Sequence, residues 1–308
     1  MARGGPRQWR QLRRPARAQA AGQGSLRRLS ARSRWQQAGR VPRPELRVTG
    51  PAGKAVSVSR DGSRLPVVRQ WVPEAPVALE FNGLSYAVMM ATPADLADFA
   101  TGFALGEGLA ADAGEVTDIA IAEVENGWIL RATLAGLGAE QLGERVRARV
   151  SESSCGLCGI ENLEAVARPL PKVAAHAPLE PDAIFSALGE LKGRQPLADT
   201  TGAAHAAAWA DTKGAIGWVR EDVGRHNALD KLTGAMARAG LPLSPGFVLS
   251  TARCSYEIVE KAVRAGATTL VTISLPTTMA TERAKAAGLS LWALARDDSV
   301  LLVNDGSG

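Results

Sequence analysis

The chain has 308 residues, with 36 Lys and Arg against 31 Asp and Glu, three cysteines and 46% hydrophobic residues, a globular composition with room for one large domain or two ordinary ones. No run approaches 18 apolar residues, which excludes a transmembrane helix, and three cysteines do not build a secreted disulfide framework, so the thiols point to a reducing compartment. The formal charge of +5 comes from the head: residues 1–44 hold twelve Arg and no acid, while residues 45–308 hold 24 Lys and Arg against 31 acids, a charge of −7. An acidic body argues against nucleic-acid binding by the folded part.

Residues 1–44 are rich in Arg, Gln, Gly and Ala, with Trp9 and Trp35 isolated and no apolar periodicity, which reads as a disordered Arg-rich head. An electrostatic tail and an organellar transit peptide are the other readings. Residues 46–90 read as strands: Leu46-Arg47-Val48, Val56-Ser57-Val58, then 76–81, an Asn82-Gly83 turn, and 86–90 as the return strand of a hairpin. Thr92 and Pro93 predict a helix start, with Thr as N-cap; Leu96, Phe99, Phe103 and Leu105 give that helix its apolar face, and Gly106-Glu107-Gly108 ends it. Strands follow at 117–123 and 127–133, and Leu142, Val146 and Val150 mark a second helix. Pro169, Pro171, Pro178 and Pro181 place a domain boundary near 170, giving a head at 1–45, an N-terminal α+β domain at 46–170 and a C-terminal α/β domain at 171–308.

The second half alternates strand and helix. Strands are expected at 215–220, 246–250, 268–274, 289–294 and 300–303; helices carry Leu229, Leu232 and Met236, then Ile258 and Ala262, then residues 279–287. Near-continuous apolar strands between helices predict a largely parallel sheet covered by helices. Thr200 to Ala207 read as a small-residue loop presenting His205.

Ser153-Ser154-Cys155-Gly156-Leu157-Cys158-Gly159 is the most reactive stretch, a Gly- and Ser-rich loop ahead of a helix-compatible run at 160–167. A thiol before a helix start faces a partial positive charge, which lowers its pKa and favours the thiolate nucleophile. A structural zinc site lacks a second close pair of ligands, and a thioredoxin-type dithiol normally follows a strand within a βαβ unit. Cys254 reads as a packed, buried thiol.

Three strand-to-helix junctions hold most polar residues of the second half: Glu221 to Asn227, Ser250 to Ser255, and Ser274 to Thr278. In an open α/β sheet, ligands bind at the carboxyl ends of strands; helix N-termini with hydroxyls, Arg225 and Arg253 suit a phosphate-bearing ligand. No Walker loop and no G-x-G-x-x-G is present.

These pieces, in this order, resemble the FdhD family of formate dehydrogenase accessory sulfurtransferases over about residues 46–298. The matching stretches are Asn82-Gly83, Thr92-Pro93, Gly102-Phe103, Glu107-Gly108, Ser154 to Gly159, Thr201-Gly202 with His205-Ala206-Ala207, Asp222 to Lys231, and Ser250-Thr251-Ala252-Arg253 with Ser255-Tyr256-Glu257. The resemblance implies an enzyme, a sulfurtransferase that takes sulfur as a cysteine persulfide from a cysteine desulfurase. It passes that sulfur to the Mo or W of a bis(molybdopterin guanine dinucleotide) cofactor, bound as substrate, before insertion into formate dehydrogenase. By position Cys155 bears the persulfide and Cys158 is its partner. Leu294, Ala295, Arg296, Asp297, Asp298 and Ser299 fall on the family's cofactor stretch, where Ala293-Leu294 replaces a Gly-Phe pair and Ser299 stands where a second Arg is usual. Arg225, His226, Arg253 and His205 complete the expected cofactor site.

A cytidine deaminase-like α/β sandwich in the C-terminal half, a homodimer, a cytoplasmic location and no permanently bound metal are implied as well. Zinc deamination itself requires H-x-E and P-C-x-x-C, whereas Ala206-Ala207 follow His205 and Ser154 precedes Cys155. A non-catalytic chaperone for the cofactor and a dithiol redox protein are the alternatives.

Overall fold

Residues 50, 52–138, 140–145 and 169–307 are described by a computed structural model. The expected head at 1–45, the strand at Leu46-Arg47-Val48, the turns at Val146 and Val150, the Cys155–Cys158 loop and the helix at 160–167 lie outside the described residues.

The first described elements are strands β1 (Ala52–Val58) and β2 (Arg64–Gln70), an antiparallel pair. Strands β3 (Ala75–Phe81) and β4 (Leu84–Ala91) join through Asn82 and Gly83, both at positive φ (50° and 79°), the two-residue turn whose twist matches that of the flanking strands. The Asn82 side chain also accepts from Leu134 N at 2.7 Å and donates to Leu137 O at 3.0 Å, which fastens the turn to the neighbouring strand end. Helix α1 (Leu96–Gly106) and strands β5 (Val116–Val124) and β6 (Gly127–Leu134) complete a four-stranded sheet of order β4-β3-β6-β5. The pair β3–β6 is parallel and the others antiparallel. Its core is Leu79, Phe81, Leu130 and Leu142 against Phe99 and Phe103 of α1. Phe81, Tyr86 and Phe103 form a ring cluster with centroids 5.8–6.2 Å apart, each pair adding about 0.5–1.5 kcal/mol beyond burial.

Helices α2 (Pro181–Leu191) and α3 (Pro196–Thr201) each begin with Pro at the first turn, where its missing N–H costs nothing. A six-stranded sheet follows, built from β7 (His205–Ala210), β8 (Ile216–Asp222), β9 (Phe247–Ser250), β10 (Thr269–Thr272), β11 (Ser290–Ala293) and β12 (Leu301–Asn304) in the order β12-β11-β10-β9-β7-β8. Between these strands run α4 (Arg225–Arg238), α5 (Tyr256–Arg264) and α6 (Thr278–Ala287). Ile184 and Ala187 of α2 pack on Phe247, Leu249 and Val271. Helix α4 packs against β7, β8 and, most extensively, α1.

That helix crossing is made of backbone on backbone. A Cβ on Gly102 would stand 1.7 Å from Asp230 O, and one on Gly234 1.9 Å from Asp98 O, so only glycine permits the approach. Around it, Asp98 accepts from Arg220 (Nη2, 2.8 Å) and Arg238 (Nη1, 2.6 Å), which ties α1 to β8 and to the end of α4.

Three local expectations change. The sheet is mixed: β8, β9, β10 and β11 run one way, but β7 and β12 run against them. Residues 200–207 form no open loop, because α3 runs through Thr201, Gly202 ends it at φ 69°, and His205 opens a central strand whose Ala206, Ala207, Ala208 and Ala210 are buried. Alanine is a poor strand former on a surface, but side chains this small let helices close on both faces of a central strand. Helix α1 starts at Leu96, with Asp95 in the left-handed region, and Thr92 caps nothing because its polar groups are engaged elsewhere.

Candidate functional site

Strand direction brings the polar junctions together. The carboxyl ends of β8, β9, β10 and β11 and the start of β7 share one edge, the place where an α/β sheet offers loops and helix N-termini to a ligand. His205, Asp222 to His226, Thr251 to Ser255, Ile273-Ser274 and Leu294 to Ser299 are all placed there.

The β8–α4 corner is built from the inside. Asp222 is fully buried; its Oδ1 accepts from Gly224 N (2.7 Å) and Asn227 Nδ2 (3.0 Å), and its Oδ2 from Thr92 N (3.0 Å) and Lys231 Nζ (2.5 Å). Lys231, also fully buried, donates to Thr92 O at 2.8 Å, and Val223 N donates to Thr92 Oγ1 at 3.1 Å. Asp222, Gly224, Asn227 and Lys231 therefore act as one internal clamp between the β4–α1 connection and α4. The residues left at the mouth of the corner are Arg225 and His226.

Helix α4 has no acidic residue in its first turn and no side-chain cap, so its partial positive end carries two basic side chains instead. His226 Nε2 lies 3.0 Å from Glu257 Oε2 of α5; this close contact, with Arg225 and Lys261 nearby, outweighs burial and holds the Glu257 carboxyl below its usual range. Burial lowers the His205 imidazole below its ordinary range, the nearby Arg225, His226 and Arg253 push the same way, and a hydrogen bond with the Thr251 backbone opposes them. The result is an imidazole of lowered basicity beside two guanidinium groups. Arg225 Nε and Ser255 Oγ are buried without a hydrogen-bond partner among the described residues.

Beside this cluster a cleft of about 680 Å³ opens at the same edge, lined by Leu188, Leu191 and Lys192 at the end of α2, by Thr251 and Ile273, and by Ala295 to Asp298. Residues 296–299 turn β11 into β12, with Arg296 N donating to Ser299 O at 2.8 Å. Arg296 Nη1 donates to Ile273 O (2.5 Å) and Ala295 O (2.9 Å), which anchors the guanidinium on the strand ends. Asp297 pairs with Lys192 at 2.6 Å across the mouth, and Asp298 accepts from Ser299 Oγ at 3.0 Å. Leu294, at φ 47°, makes the bend that leads into this segment.

Of the expected site residues, the edge gathers His205, Arg225, His226 and Arg253, with 294–299 along the adjoining cleft; Cys155 and Cys158 lie outside the described residues. Lys192 and Gln195 were absent from the sequence expectation, whereas Thr251 belongs to the expected Ser250–Ser255 junction and lines the cleft. Lys192 and Gln195 follow a helix that no motif marked, and only the fold carries them to the cleft. Glu221, which opens the expected Glu221–Asn227 junction, is buried and serves the fold: its carboxylate accepts from Leu197 N (3.0 Å) and Ala198 N (2.8 Å) and so caps α3, while burial raises its pKa. Cys254 is fully buried, and burial pushes its thiol up to about 11. Among the described residues no group of three His, Cys, Asp or Glu is placed to hold a metal ion, and no helix is long and apolar enough to cross a membrane.

A protein named sulfur carrier protein FdhD from Xanthomonas euvesicatoria pv. vesicatoria is 45% identical over 256 residues, 82% of this chain and 91% of that one. Another of the same name from Variovorax paradoxus is 45% identical over 235 residues, 76% and 84% of the two chains. A crystal structure from Desulfotalea psychrophila, assigned as a candidate formate dehydrogenase accessory protein, superposes with a TM-score of 0.65 at 23% identity over 83% of this chain and 97% of that one, so the fold is shared. The pattern of the FdhD/NarQ family matches residues 72–305, and the chain belongs to that family.

Proposed function

We propose that this protein is a sulfur carrier acting as a sulfurtransferase in the maturation of formate dehydrogenase. The Cys155 thiolate attacks the outer sulfur of a persulfide on a cysteine desulfurase; the donor S–S bond breaks, the donor leaves as a thiolate, and Cys155 holds the new persulfide. Cys158 assists transfer or accepts the sulfur. The acceptor is the Mo or W of a bis(molybdopterin guanine dinucleotide) cofactor, held as substrate at the six-stranded sheet edge. The 171–308 half is read as a cytidine deaminase-like sandwich that carries this site, 46–170 as the half that presents the thiols, and the protein as a cytoplasmic homodimer.

One observation carries the cofactor side: the convergence of His205, Arg225, His226 and Arg253 on one edge, beside a cleft bounded by 295–298. The unpartnered Arg225 Nε and Ser255 Oγ are donors that a phosphate oxygen would satisfy. The family relatives' name supports the sulfur side.

The deciding experiment is mass spectrometry after incubation with a desulfurase and cysteine. A reductant-labile gain of about 32 Da, the mass of one sulfur atom, is expected on the Cys155–Cys158 peptide and is absent in Cys155→Ala. Sulfur loading that persists in Cys155→Ala overturns the assignment. Full formate dehydrogenase activity with Cys155→Ser would make the protein a chaperone instead, and a reversible Cys155–Cys158 disulfide with reductase activity would make it a redox protein.

A further inference from the structure

The β1–β2 hairpin has no part in sulfur transfer as proposed, and its edge chemistry is independent of the cysteines and of the cofactor. Ser59 N donates to Ser63 O at 3.0 Å, which sets the ladder: Val58–Arg64, Val56–Pro66 and Lys54–Val68 are non-hydrogen-bonded pairs, with main-chain groups turned outward. The six side chains share one face, and Val56, Val58 and Val68 are 58%, 61% and 70% exposed on it. An isolated two-stranded ribbon is marginal in water, so bare valines on its open face are a liability unless something covers them.

The two edges differ. On β2, Pro66 removes an outward N–H and the strand packs on α3, both of which discourage pairing. On β1, the outward main-chain groups of Lys54, Val56 and Val58 have no strand beside them among the described residues. Charge narrows the occupant. Residues 52–70 hold Lys54, Arg60, Arg64 and Arg69 against Asp61, a local charge of +3 on a body (45–308) of −7.

We propose that the β1 edge is a docking site for an extended acidic segment of another protein, which adds as a third strand. Its main chain pairs with β1, its apolar side chains cover the valine face, and its carboxylates meet Lys54 and Arg64. The Arg-rich head of this chain has the wrong charge for this edge. Strand β5 of a second copy has the right charge in Asp118 and Glu123, but a bulge at Asp118 (φ 51°), with a register shift between Thr117 and Ala120, interrupts the ladder that it would have to offer.

The test uses the full chain and two labelled synthetic peptides of about seven residues, whose alternate positions carry Glu, Val, Val, Glu (the Val–Glu peptide) or Lys, Val, Val, Lys (the Val–Lys peptide) with Ser between them, so that charges and valines lie on one face, read by fluorescence anisotropy. The Val–Glu peptide should bind, weaken several-fold as salt rises from about 0.05 to about 0.3 M, and outcompete the Val–Lys peptide. Val56→Pro removes an outward donor while sparing the hairpin's own ladder and should cost about tenfold in affinity, roughly the worth of one hydrogen bond; Val56→Thr should cost far less. A charge-reversed Lys54→Glu/Arg64→Glu chain should switch preference to the Val–Lys peptide. Equal binding of both peptides, or indifference to Val56→Pro and to charge reversal, overturns the proposal. Sedimentation showing a dimer that Val56→Pro dissociates also overturns it, by assigning the edge to a second copy.

Discussion

Helix α4 places two successive residues in two buried ion pairs, and the pairs are built differently. Lys231 meets Asp222, whose two oxygens take four hydrogen bonds, two of them from backbone N–H groups. Asp230 meets Lys261, and both of its oxygens depend on that one ammonium, at 2.9 and 3.0 Å. Burial therefore wins over the attraction of Lys261 and raises Asp230 from 3.8 to about 6, with Glu107 adding to the rise, whereas Lys261, held by Asp230 and Glu107, is raised above its ordinary 10.5. A buried carboxylate needs several donors to stay ionised comfortably; one cation at contact distance is not enough.

Removing one ammonium at a time sharpens this contrast. Lys231→Met should cost about 3–5 kcal/mol in urea unfolding at pH 7, because it takes the cation out of a fully buried ion pair and leaves Asp222 without that partner. Lys261→Met should cost less, since Asp230 can take up a proton, and its cost should shrink further at pH 5. Equal and pH-independent losses for the two variants would break the comparison.

The pH dependence of the native protein is the next effect in size. A folded pKa of about 6 above an unfolded 3.8 means that the folded state holds the Asp230 proton longer. That stabilisation is complete below pH 4 and fades as pH rises toward about 6, by at most about 3 kcal/mol. Asp230→Asn should remove this slope, so the difference in stability between the two proteins should change across pH 4–6 and be flat above about 7. A constant difference from pH 4 to 8 would place the Asp230 carboxyl in the ordinary range.

Most of this architecture is legible in the sequence wherever periodicity or turn chemistry speaks. Asn82-Gly83 marks its hairpin, the 229/232/236 and 258/262 spacings mark α4 and α5, and Gly240, Gly266 and Gly288 end the helices that precede them. What is hidden is tertiary. Thr92 looks like an N-cap because Pro follows it, but its N–H, carbonyl and hydroxyl bond to Asp222, Lys231 and Val223, residues about 130 positions away. Ala206-Ala207-Ala208-Trp209-Ala210 has no amphipathic signature, so the strand these residues form shows only as a short unbroken apolar stretch. The same divide holds at the candidate site. Arg225, His226 and Arg253 stand in recognisable runs, whereas Lys192 reaches the cleft only because α2 covers the six-stranded sheet. The run from Asp222 to Lys231 is distinctive in sequence mainly because it must satisfy a buried clamp, and only two of its side chains face the edge.

His205 offers the finest test of the site itself. With its folded pKa below 6.5, chiefly by burial and then by three neighbouring positive charges, it stays neutral where an exposed imidazole would begin to charge. The unfolded chain takes up that proton first as pH falls, so the stability His205 contributes is present above pH 6.5 and is lost on acidification. Half-exposure screens the effect, which makes a proton titration of the ring by NMR a sharper probe than thermal melting. His205→Gln assigns its resonance among those of His176 and His226. The midpoint should lie below 6.5, move up in Arg225→Ala and Arg253→Ala, and move up further when inorganic phosphate fills the edge and offsets the cations. A midpoint at or above 6.5 that ignores all three changes would separate His205 from the arginines, and with it the electrostatic unity of the sheet edge.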